Sequence, residues 1–270
     1  MVRALDLTLV GDIHFGKLND YRQGEEAEPL LRKLVEKVNN SKCDAVIELG
    51  DRINTENSES DKAHLATVRQ LFSACNVPVY SVLGNHDVQN LLPEDNLDKD
   101  QMPSFMYTIE MNGFTCIFLN TCDPIVMDWG GHVSAPQLEW LKKAVSKDDS
   151  PKLVFGHHAL SCQPQTGNPI LEKENLIGRE NIGNSDEVLR ILHQDSHVIA
   201  YINGHVHWMN FSSDKGIACI SVPSLTEAYL NSAGASGKYC TLHVDENGRI
   251  DIIYYSLKPE CALGRVSYNN

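Results

Sequence analysis

The stretch LTLVGDIH, residues 7–14, is an apolar run that ends at a glycine and is followed at once by Asp12 and His14. Together with Leu5 and Asp6, the run predicts a short β-strand. Similar runs ending in glycine, DAVIELG and VPVYSVLG, follow at residues 44–50 and 77–84, and two segments with apolar residues at helical spacing lie between the three runs. Alternating strands and helices predict right-handed crossovers and a parallel sheet.

The rest of the chain is also a mixture of strands and helices. Asn112-Gly113 stands between two β-rich runs, which is a strong signal for a hairpin turn. A helix is expected after Ser134, with Pro136 in its first turn. Strand-like runs then precede residues 156 and 204, and the last forty residues are dense in strands. We therefore expect an α/β fold: one compact domain over residues 1–270, with two sheets packed face to face.

The composition limits the classes of function. Asp and Glu number 36 against 23 Lys and Arg, a formal net charge of -13, which disfavours binding to nucleic acid. The apolar run at the start is too short for a secretory signal, and no run approaches the length of a membrane span. We expect a cytoplasmic protein without membrane association, although a chain whose signal peptide had been removed would look the same. The eight cysteines include no CxxC pair and are interpreted as mainly buried free thiols.

Five predicted strands end in glycine followed by His, Asp or Asn. The motifs are GDIH (11–14), GDRIN (50–54), GNHD (84–87), GHH (156–158) and GHVH (204–207). Any one of them is more often a turn or a structural histidine. All five together predict side chains that meet beyond the carboxyl ends of the strands, where α/β sheets bind ligands. Imidazole and carboxylate groups suit Zn, Fe and Mn, and a pair of such ions can activate water against a phosphoester.

These five motifs, in this order, resemble those of the calcineurin-like metallophosphoesterase superfamily. GNHD and the segment APQLEWL (135–141) are similar to its class III cyclic-nucleotide phosphodiesterase branch. The resemblance implies a four-layer α/β/β/α sandwich of two mixed β-sheets flanked by helices. It also implies two divalent or trivalent metal ions (Mn, Fe or Zn). One ion would be held by Asp12, His14 and His207, the other by Asn85, His157 and His205, with Asp51 bridging them and His86 as general acid.

Two residues beside the bridging position are less typical of the family. Many members carry Asp three residues after the bridging carboxylate, where it orients the catalytic histidine; this chain has Asn54. Arg52 could clamp a phosphate through two hydrogen bonds, or it could form an ion pair. Both residues are therefore candidate substrate contacts. The segment GASGK (234–238) is similar to part of a phosphate-binding loop, but Tyr239 and a predicted strand follow it, so we interpret it as an ordinary loop.

The expected function is hydrolysis of a phosphodiester in a small nucleotide-like substrate, such as a cyclic nucleotide or a nucleotide diphosphate ester. By the resemblance, a hydroxide that bridges the metals would attack and His86 would protonate the leaving group. A phosphomonoesterase with the same site is the alternative, and a non-catalytic binding scaffold is a distant one. The irregular segment at residues 160–184 is expected to cap the site and to influence which ester fits.

Overall fold

Two six-stranded sheets form the centre of the protein, whose residues 2–17, 21–126, 130–228 and 234–269 are described by a computed structural model. The first sheet has the order β14-β13-β12-β1-β2-β3. Its strands are β1 (Leu5–Val10), β2 (Ala45–Glu48), β3 (Val79–Ser81), β12 (Lys238–Val244), β13 (Ile250–Leu257) and β14 (Glu260–Tyr268). Strands β1, β2 and β3 are parallel, as predicted. Strands β12, β13 and β14 extend the sheet beyond β1, and each is antiparallel to the strand before it in the sheet.

The second sheet has the order β10-β11-β9-β8-β5-β4. Its strands are β4 (Tyr107–Met111), β5 (Phe114–Phe118), β8 (Lys152–Phe155), β9 (Val198–Asn203), β10 (Asn210–Asp214) and β11 (Ile217–Ser221). Strands β5, β8, β9 and β11 run parallel. The predicted hairpin joins β4 to β5, and both Asn112 and Gly113 have the positive φ angles, 52° and 90°, that such a turn requires. A short pair of strands, β6 (Cys122–Asp123) and β7 (His132–Val133), stands apart.

Helices cover the outer face of each sheet. They are α1 (Ala27–Asn39), α2 (Ser58–Phe72), α3 (Ala135–Val145), α4 (Pro169–Lys173) and α5 (Ser185–Leu192), and short 3₁₀ turns lie at Gly24–Glu26, His86–Val88 and Pro93–Asn96. Helices α1 and α2 share an apolar cluster with the first sheet, and α3 and α5 share one with the second. A third cluster fills the space between the two sheets. The four-layer α/β/β/α arrangement is therefore confirmed.

Several elements were not predicted from the sequence, among them β6, β7, β10, β14 and helix α4. Strand β10 is mainly polar, and β14 is an edge strand that is exposed along most of its length, so neither has the alternation that marks a half-buried strand. Helix α4 lies inside the segment at residues 160–184, which is therefore not wholly irregular. No helix among the described residues is long and apolar enough to cross a membrane.

Leu242 on β12 lies in the cluster between the sheets and is 1% exposed, whereas Leu92 is 67% exposed. Leu242→Ala is expected to lower the free energy of unfolding by about 2–5 kcal/mol, because it removes buried methyl groups and leaves a cavity. Leu92→Ala, the matched control, should change it by less than about 0.5 kcal/mol. Urea denaturation followed by circular dichroism measures both values. Equal losses in the two variants would contradict the position of Leu242 in the core.

Candidate metal centre

The loops that follow five parallel strands meet between the two sheets. Strands β1, β2 and β3 of the first sheet end just before Asp12, Asp51 and Asn85, and strands β8 and β9 of the second sheet end before His157 and His205. The structure brings the side chains of all seven predicted metal ligands together. They are Asp12, His14, Asp51, Asn85, His157, His205 and His207.

The backbone of these loops is unusual. In the described part of the chain, eight residues other than glycine have a positive φ angle, and five of them are predicted ligands. Their φ angles are 50° at Asp12, 45° at His14, 56° at Asp51, 65° at His205 and 51° at His207. This region is disfavoured for residues with a side chain, and such strain concentrates at functional sites. The loops are therefore held in a conformation that local preference alone does not explain.

One group of donor atoms lies around Asp12, His14 and His207. The Nε2 atoms of His14 and His207 are 3.0 Å apart, and Nε2 of His207 is 3.4 Å from Oδ1 of Asp12. Nε2 of His14 is also 3.7 Å from Oδ2 of Asp51. When two imidazole nitrogens face each other at this distance, at most one can donate a proton to the other. A cation between them would give both lone pairs a partner, so this donor set fits a metal ion.

A second group lies on the other side of Asp51. Its Oδ1 is 3.4 Å from Nε2 of His157. The same nitrogen is 3.0 Å from Oδ1 of Asn85 and 3.1 Å from Nδ1 of His205. Donor atoms of His157, His205 and the adjacent His158 also lie within 4.8 Å of one another. The two oxygens of Asp51 thus face two separate clusters of metal-binding atoms.

Oxygen atoms outside the donor clusters contact three of the imidazole rings, two of them through hydrogen bonds. Nδ1 of His207 lies 2.7 Å from Oε2 of Glu227, and Nδ1 of His157 lies 2.7 Å from the carbonyl oxygen of Leu49. Nε2 of His205 is 2.5 Å from Oε2 of Glu180. An oxygen acceptor at one ring nitrogen places the proton there and leaves the lone pair of the other nitrogen facing the cluster. The hydrogen bonds fix the orientation of the His157 and His207 rings, and the contact with Glu180 restrains the ring of His205.

The electrostatics of the site favour cations. Burial by itself would raise the pKa of Asp51, but the surrounding imidazoles, His157 first, hold it well below its ordinary value. Burial likewise opposes charge on His157 and His207, yet nearby carboxylates raise their pKa to about 9 and about 10. The carboxylates thus draw positive charge onto the site. A metal ion would supply that charge and displace the protons.

His86 stands at the edge of the centre, on the 3₁₀ turn that follows Asn85. Its backbone N–H donates to Oδ1 of Asp51 at 2.8 Å, which ties the turn to the bridging carboxylate. Its Nδ1 lies 2.7 Å from Oγ1 of Thr55, and its Nε2 lies 3.0 Å from Nη1 of Arg22. Burial is the main reason that the pKa of His86 is lowered to about 4. Asp51 acts to raise this pKa, and Arg22 acts to lower it.

Arg52 and Asn54 take positions that the sequence left open. The Arg52 guanidinium is buried, with Nε 3.6 Å from carboxylate oxygens of both Glu48 and Asp87, and its Nη2 donates to Oδ1 of Asn96 at 3.0 Å. This arrangement corresponds to the ion-pair alternative. The side chain of Asn54 donates to the carbonyl oxygen of Lys17 at 2.7 Å.

Asp87, the last residue of GNHD, organises the backbone around the bridging carboxylate. Its side-chain oxygens accept from the N–H groups of Asp51, Arg52 and Gly84 at 2.9–3.1 Å. One carboxylate thereby fixes two of the motif loops against each other. The GNHD segment thus contains a structural carboxylate beside the predicted metal ligand Asn85.

A cavity of about 310 Å³ opens onto the centre. Asp51, His86, His205 and His207 line it on one side, and Ile170, Leu171, Leu176 and Glu180 come from the segment at residues 160–184. Arg22, Glu174 and Glu227 are also at its wall. Four residues that contact predicted site residues were missed from the sequence: Arg22, Thr55, Glu180 and Glu227. Each lies outside the strand-end motifs, so nothing in the spacing marks it.

Comparisons with known proteins give a family and related enzymes. The family model described as calcineurin-like phosphoesterase matches residues 5–209. A probable cyclic nucleotide phosphodiesterase from Synechococcus is 26% identical over 130 residues, 48% of this chain and 46% of that protein. The 3′,5′-cyclic adenosine monophosphate phosphodiesterase CpdA of Haemophilus influenzae is 25% identical over 186 residues, 68% of this chain and 62% of that protein. The chain thus spans about half to two thirds of the length of these two relatives.

A solved structure has the same fold. The dimetal phosphatase LOC 393393 from Danio rerio superimposes with a TM-score of 0.74 at 18% sequence identity, covering 98% of each chain. At that identity the likeness concerns the fold alone. The likeness in fold includes both sheets, and therefore the layered arrangement that carries the strand-end loops.

Gly84 is expected to be essential for the centre. A Cβ atom there would overlap the backbone nitrogen and Oδ1 of Asp51, whereas a Cβ at Gly264 has nothing within 4 Å. Gly84→Ala should destabilise the fold by about 1–3 kcal/mol and displace Asp51, because overpacking forces the backbone to shift. The measurements are melting temperature and bound Mn or Zn per chain by elemental analysis. Gly264→Ala is the control, and undiminished metal content in Gly84→Ala would contradict this account.

Proposed function

This chain belongs to the calcineurin-like phosphoesterase family, and from that premise we propose that it is a two-metal phosphodiesterase acting on a small nucleotide-like substrate. Family membership supports its assignment as a phosphoric ester hydrolase. The observation that carries the two-metal assignment is the position of Asp51, whose Oδ1 and Oδ2 face different donor clusters 3.4 and 3.7 Å away. The names of the sequence relatives support the choice of a diester over a monoester.

The donor sets fit two metal ions. Asp12, His14 and His207 would hold one, Asn85, His157 and His205 the other, and Asp51 both. Mn, Fe and Zn are the candidates because imidazole and carboxylate ligands suit them and no cysteine takes part. When bound, two such ions neutralise phosphate oxygens and lower the pKa of water so that it can attack phosphorus. The cytoplasmic location remains a prediction, supported by the eight cysteines, which are all free.

The residues of the chain itself have separate tasks. Arg22 lines the cavity with its Nη1 3.0 Å from Nε2 of His86, so a phosphate oxygen beside His86 would also meet the guanidinium. We assign the phosphate contact to Arg22 rather than to Arg52, whose guanidinium is buried among carboxylates. Arginine suits this task because it donates to phosphate through a planar fork.

His86 is the proposed general acid. The alkoxide that leaves a phosphodiester needs a proton, and an imidazole within hydrogen-bond reach can deliver it. Thr55 holds Nδ1, so Nε2 is the nitrogen that faces the cavity. A bound phosphoester brings negative charge next to Arg22 and His86, which offsets the effect of the guanidinium and favours the protonated imidazole. Thr55 takes the orienting position that the resemblance assigned to residue 54.

The first test compares two chromogenic substrates. Protein stripped with a chelator is given Mn, Fe(II) or Zn and assayed with bis-p-nitrophenyl phosphate and with p-nitrophenyl phosphate. Metal-restored turnover that favours the diester is expected, and Asp51→Asn should lower kcat by at least about 10²–10³, since it removes the charge shared by both clusters. The exposed Asp100→Asn should behave as wild type.

Preference for the monoester would instead assign the protein to the phosphatases. Two bound ions per chain without turnover of either substrate would contradict the enzyme assignment and favour the scaffold alternative. Full activity in Asp51→Asn would contradict the role of Asp51.

The general acid is tested through the leaving group. His86→Gln should lower kcat about 10²–10⁴-fold for an alkyl diester that the enzyme accepts, such as a cyclic nucleotide, because the ribose oxygen leaves poorly without a proton. The loss should be much smaller for bis-p-nitrophenyl phosphate, whose p-nitrophenolate leaves without help. His243→Gln, a half-exposed histidine paired with Asp6, is the control. Equal losses on both substrates would show that His86 acts in another way.

A further inference from the structure

A second cavity adjoins the metal centre. Its volume is about 270 Å³, and it shares Ile170, His207 and Glu227 with the wall of the first. Volumes of this size are at the lower end for small-molecule sites, so the two cavities together suit a ligand larger than one phosphate group. A substrate bound at the centre therefore has room to extend past His207.

Lys238 is part of the wall of this second cavity. It is the last residue of GASGK and the first residue of β12, which runs antiparallel to β1 with Cys240 opposite Leu9. The start of β12 is thus beside the end of β1, where the loop of Asp12 begins. The topology of the sheet places a lysine next to the metal centre although the segment is not a phosphate-binding loop.

The ammonium group of Lys238 has hydrogen-bonding capacity that the described residues leave unused. Among the residues that the structure describes, no hydrogen-bond acceptor or carboxylate lies within bonding distance of its Nζ. The other lysine of the cavity, Lys258, is paired with Glu26 at 2.6 Å. Glu227 shares the wall, but its carboxylate is engaged by Nδ1 of His207 and by the N–H of Ala228. Burial lowers the pKa of Lys238, with Glu227 opposing the shift.

The two serine hydroxyls of the wall are already satisfied. The hydroxyl of Ser236 donates to the carbonyl oxygen of Ser224, and that of Ser256 donates to the carbonyl oxygen of Ser236. Trp208 adds a half-buried aromatic surface. Among the described residues of this wall, Lys238 is therefore the cation that no carboxylate pairs at bonding distance. A half-buried ammonium on a cavity wall can donate to an anion that enters the cavity.

We infer that Lys238 binds a second anionic group of the substrate, a phosphate next to the one that is cleaved. The inference rests on the proposed function and adds that the preferred substrate carries two phosphates, since a cyclic monophosphate has nothing to place at Lys238. Lysine is a common phosphate binder, acting as a point charge. In a chain with a net charge of -13, a lysine beside the centre also attracts this part of an anionic substrate.

The test is a comparison of two ligands on Mn-loaded protein. Isothermal titration calorimetry gives the Kd of α,β-methylene-ADP, which has two phosphates and a bridge that is not hydrolysed, and of AMP, which has one. Wild-type protein should bind the first at least tenfold more tightly. In Lys238→Gln the ratio of the two Kd values should fall below twofold, whereas Lys238→Arg should restore most of it.

Lys147→Gln is the matched control, because Lys147 is an exposed lysine paired with Glu110 on the second sheet. It should keep the wild-type ratio. An unchanged ratio in Lys238→Gln, or an equal loss in Lys147→Gln, would overturn the inference. Circular dichroism and melting temperature verify that each variant is folded.

A kinetic arm separates this inference from the proposed function. Lys238→Gln should lower kcat/KM for a diester of pyrophosphate, such as ADP-ribose, about tenfold relative to bis-p-nitrophenyl phosphate. Turnover of bis-p-nitrophenyl phosphate with no such change would refute the role of Lys238 alone. Absence of turnover on every substrate would refute the proposed function, while the ratio of Kd values would still decide whether Lys238 binds the second phosphate.

Discussion

The structure depends on an ionised carboxylate that is almost completely buried. Asp51 is 1% exposed, and moving a carboxylate out of water costs several kcal/mol unless positive charge and hydrogen bonds offset it. Here the offset comes from imidazoles on both sides and from the N–H of His86. Neutralising Asp51 would leave those imidazoles without a counter-charge. Removing the imidazoles would leave a buried carboxylate without compensating positive charge. The arrangement is stable as a unit, and its remaining demand for positive charge is what metal ions satisfy.

The backbone is adapted to this demand. Gly84 lies against Asp51 so closely that a side chain would displace the carboxylate, and the ligand loops adopt positive φ angles that cost of order 1–3 kcal/mol each. Such strain persists only when the surroundings over-determine it. The buried strands on both sides supply that rigidity, because each strand is fixed by ladder hydrogen bonds and by the core between the sheets. Stability of the core thus maintains the geometry of the centre.

The part of the site that could be predicted is the part encoded at strand ends. Asp12, Asp51 and Asn85 each follow an apolar run and a glycine, so their meeting point follows from the parallel sheet alone. Arg22 and Glu227 could not be found in this way, since an isolated bridge pairs them from loops two hundred residues apart in sequence.

The position of Arg52 depended on burial, which spacing does not encode. Its neighbours Glu48 and Asp87 belong to different strand-end segments that meet only in the folded chain. Thr55 likewise contacts Nδ1 of His86, whereas the resemblance assigns that contact to the residue before it. Edge strand β14 was missed for another reason: an exposed strand lacks apolar alternation, and its pairing with β13 is decided by backbone hydrogen bonds.

The charges around the first cavity bear on the order in which metal and substrate would bind. Its described wall carries the carboxylates of Asp51, Glu174, Glu180 and Glu227 against the guanidinium of Arg22 and the imidazole of His207, whose pKa is raised to about 10. A phosphoester is an anion, and in a chain with an excess of thirteen negative charges it would be repelled from this wall. Positive charge at the imidazole and carboxylate clusters reverses the sign of the local field. On the proposed two-metal assignment, metal would therefore bind before substrate, and the apparent affinity for substrate would rise with occupancy of the two clusters.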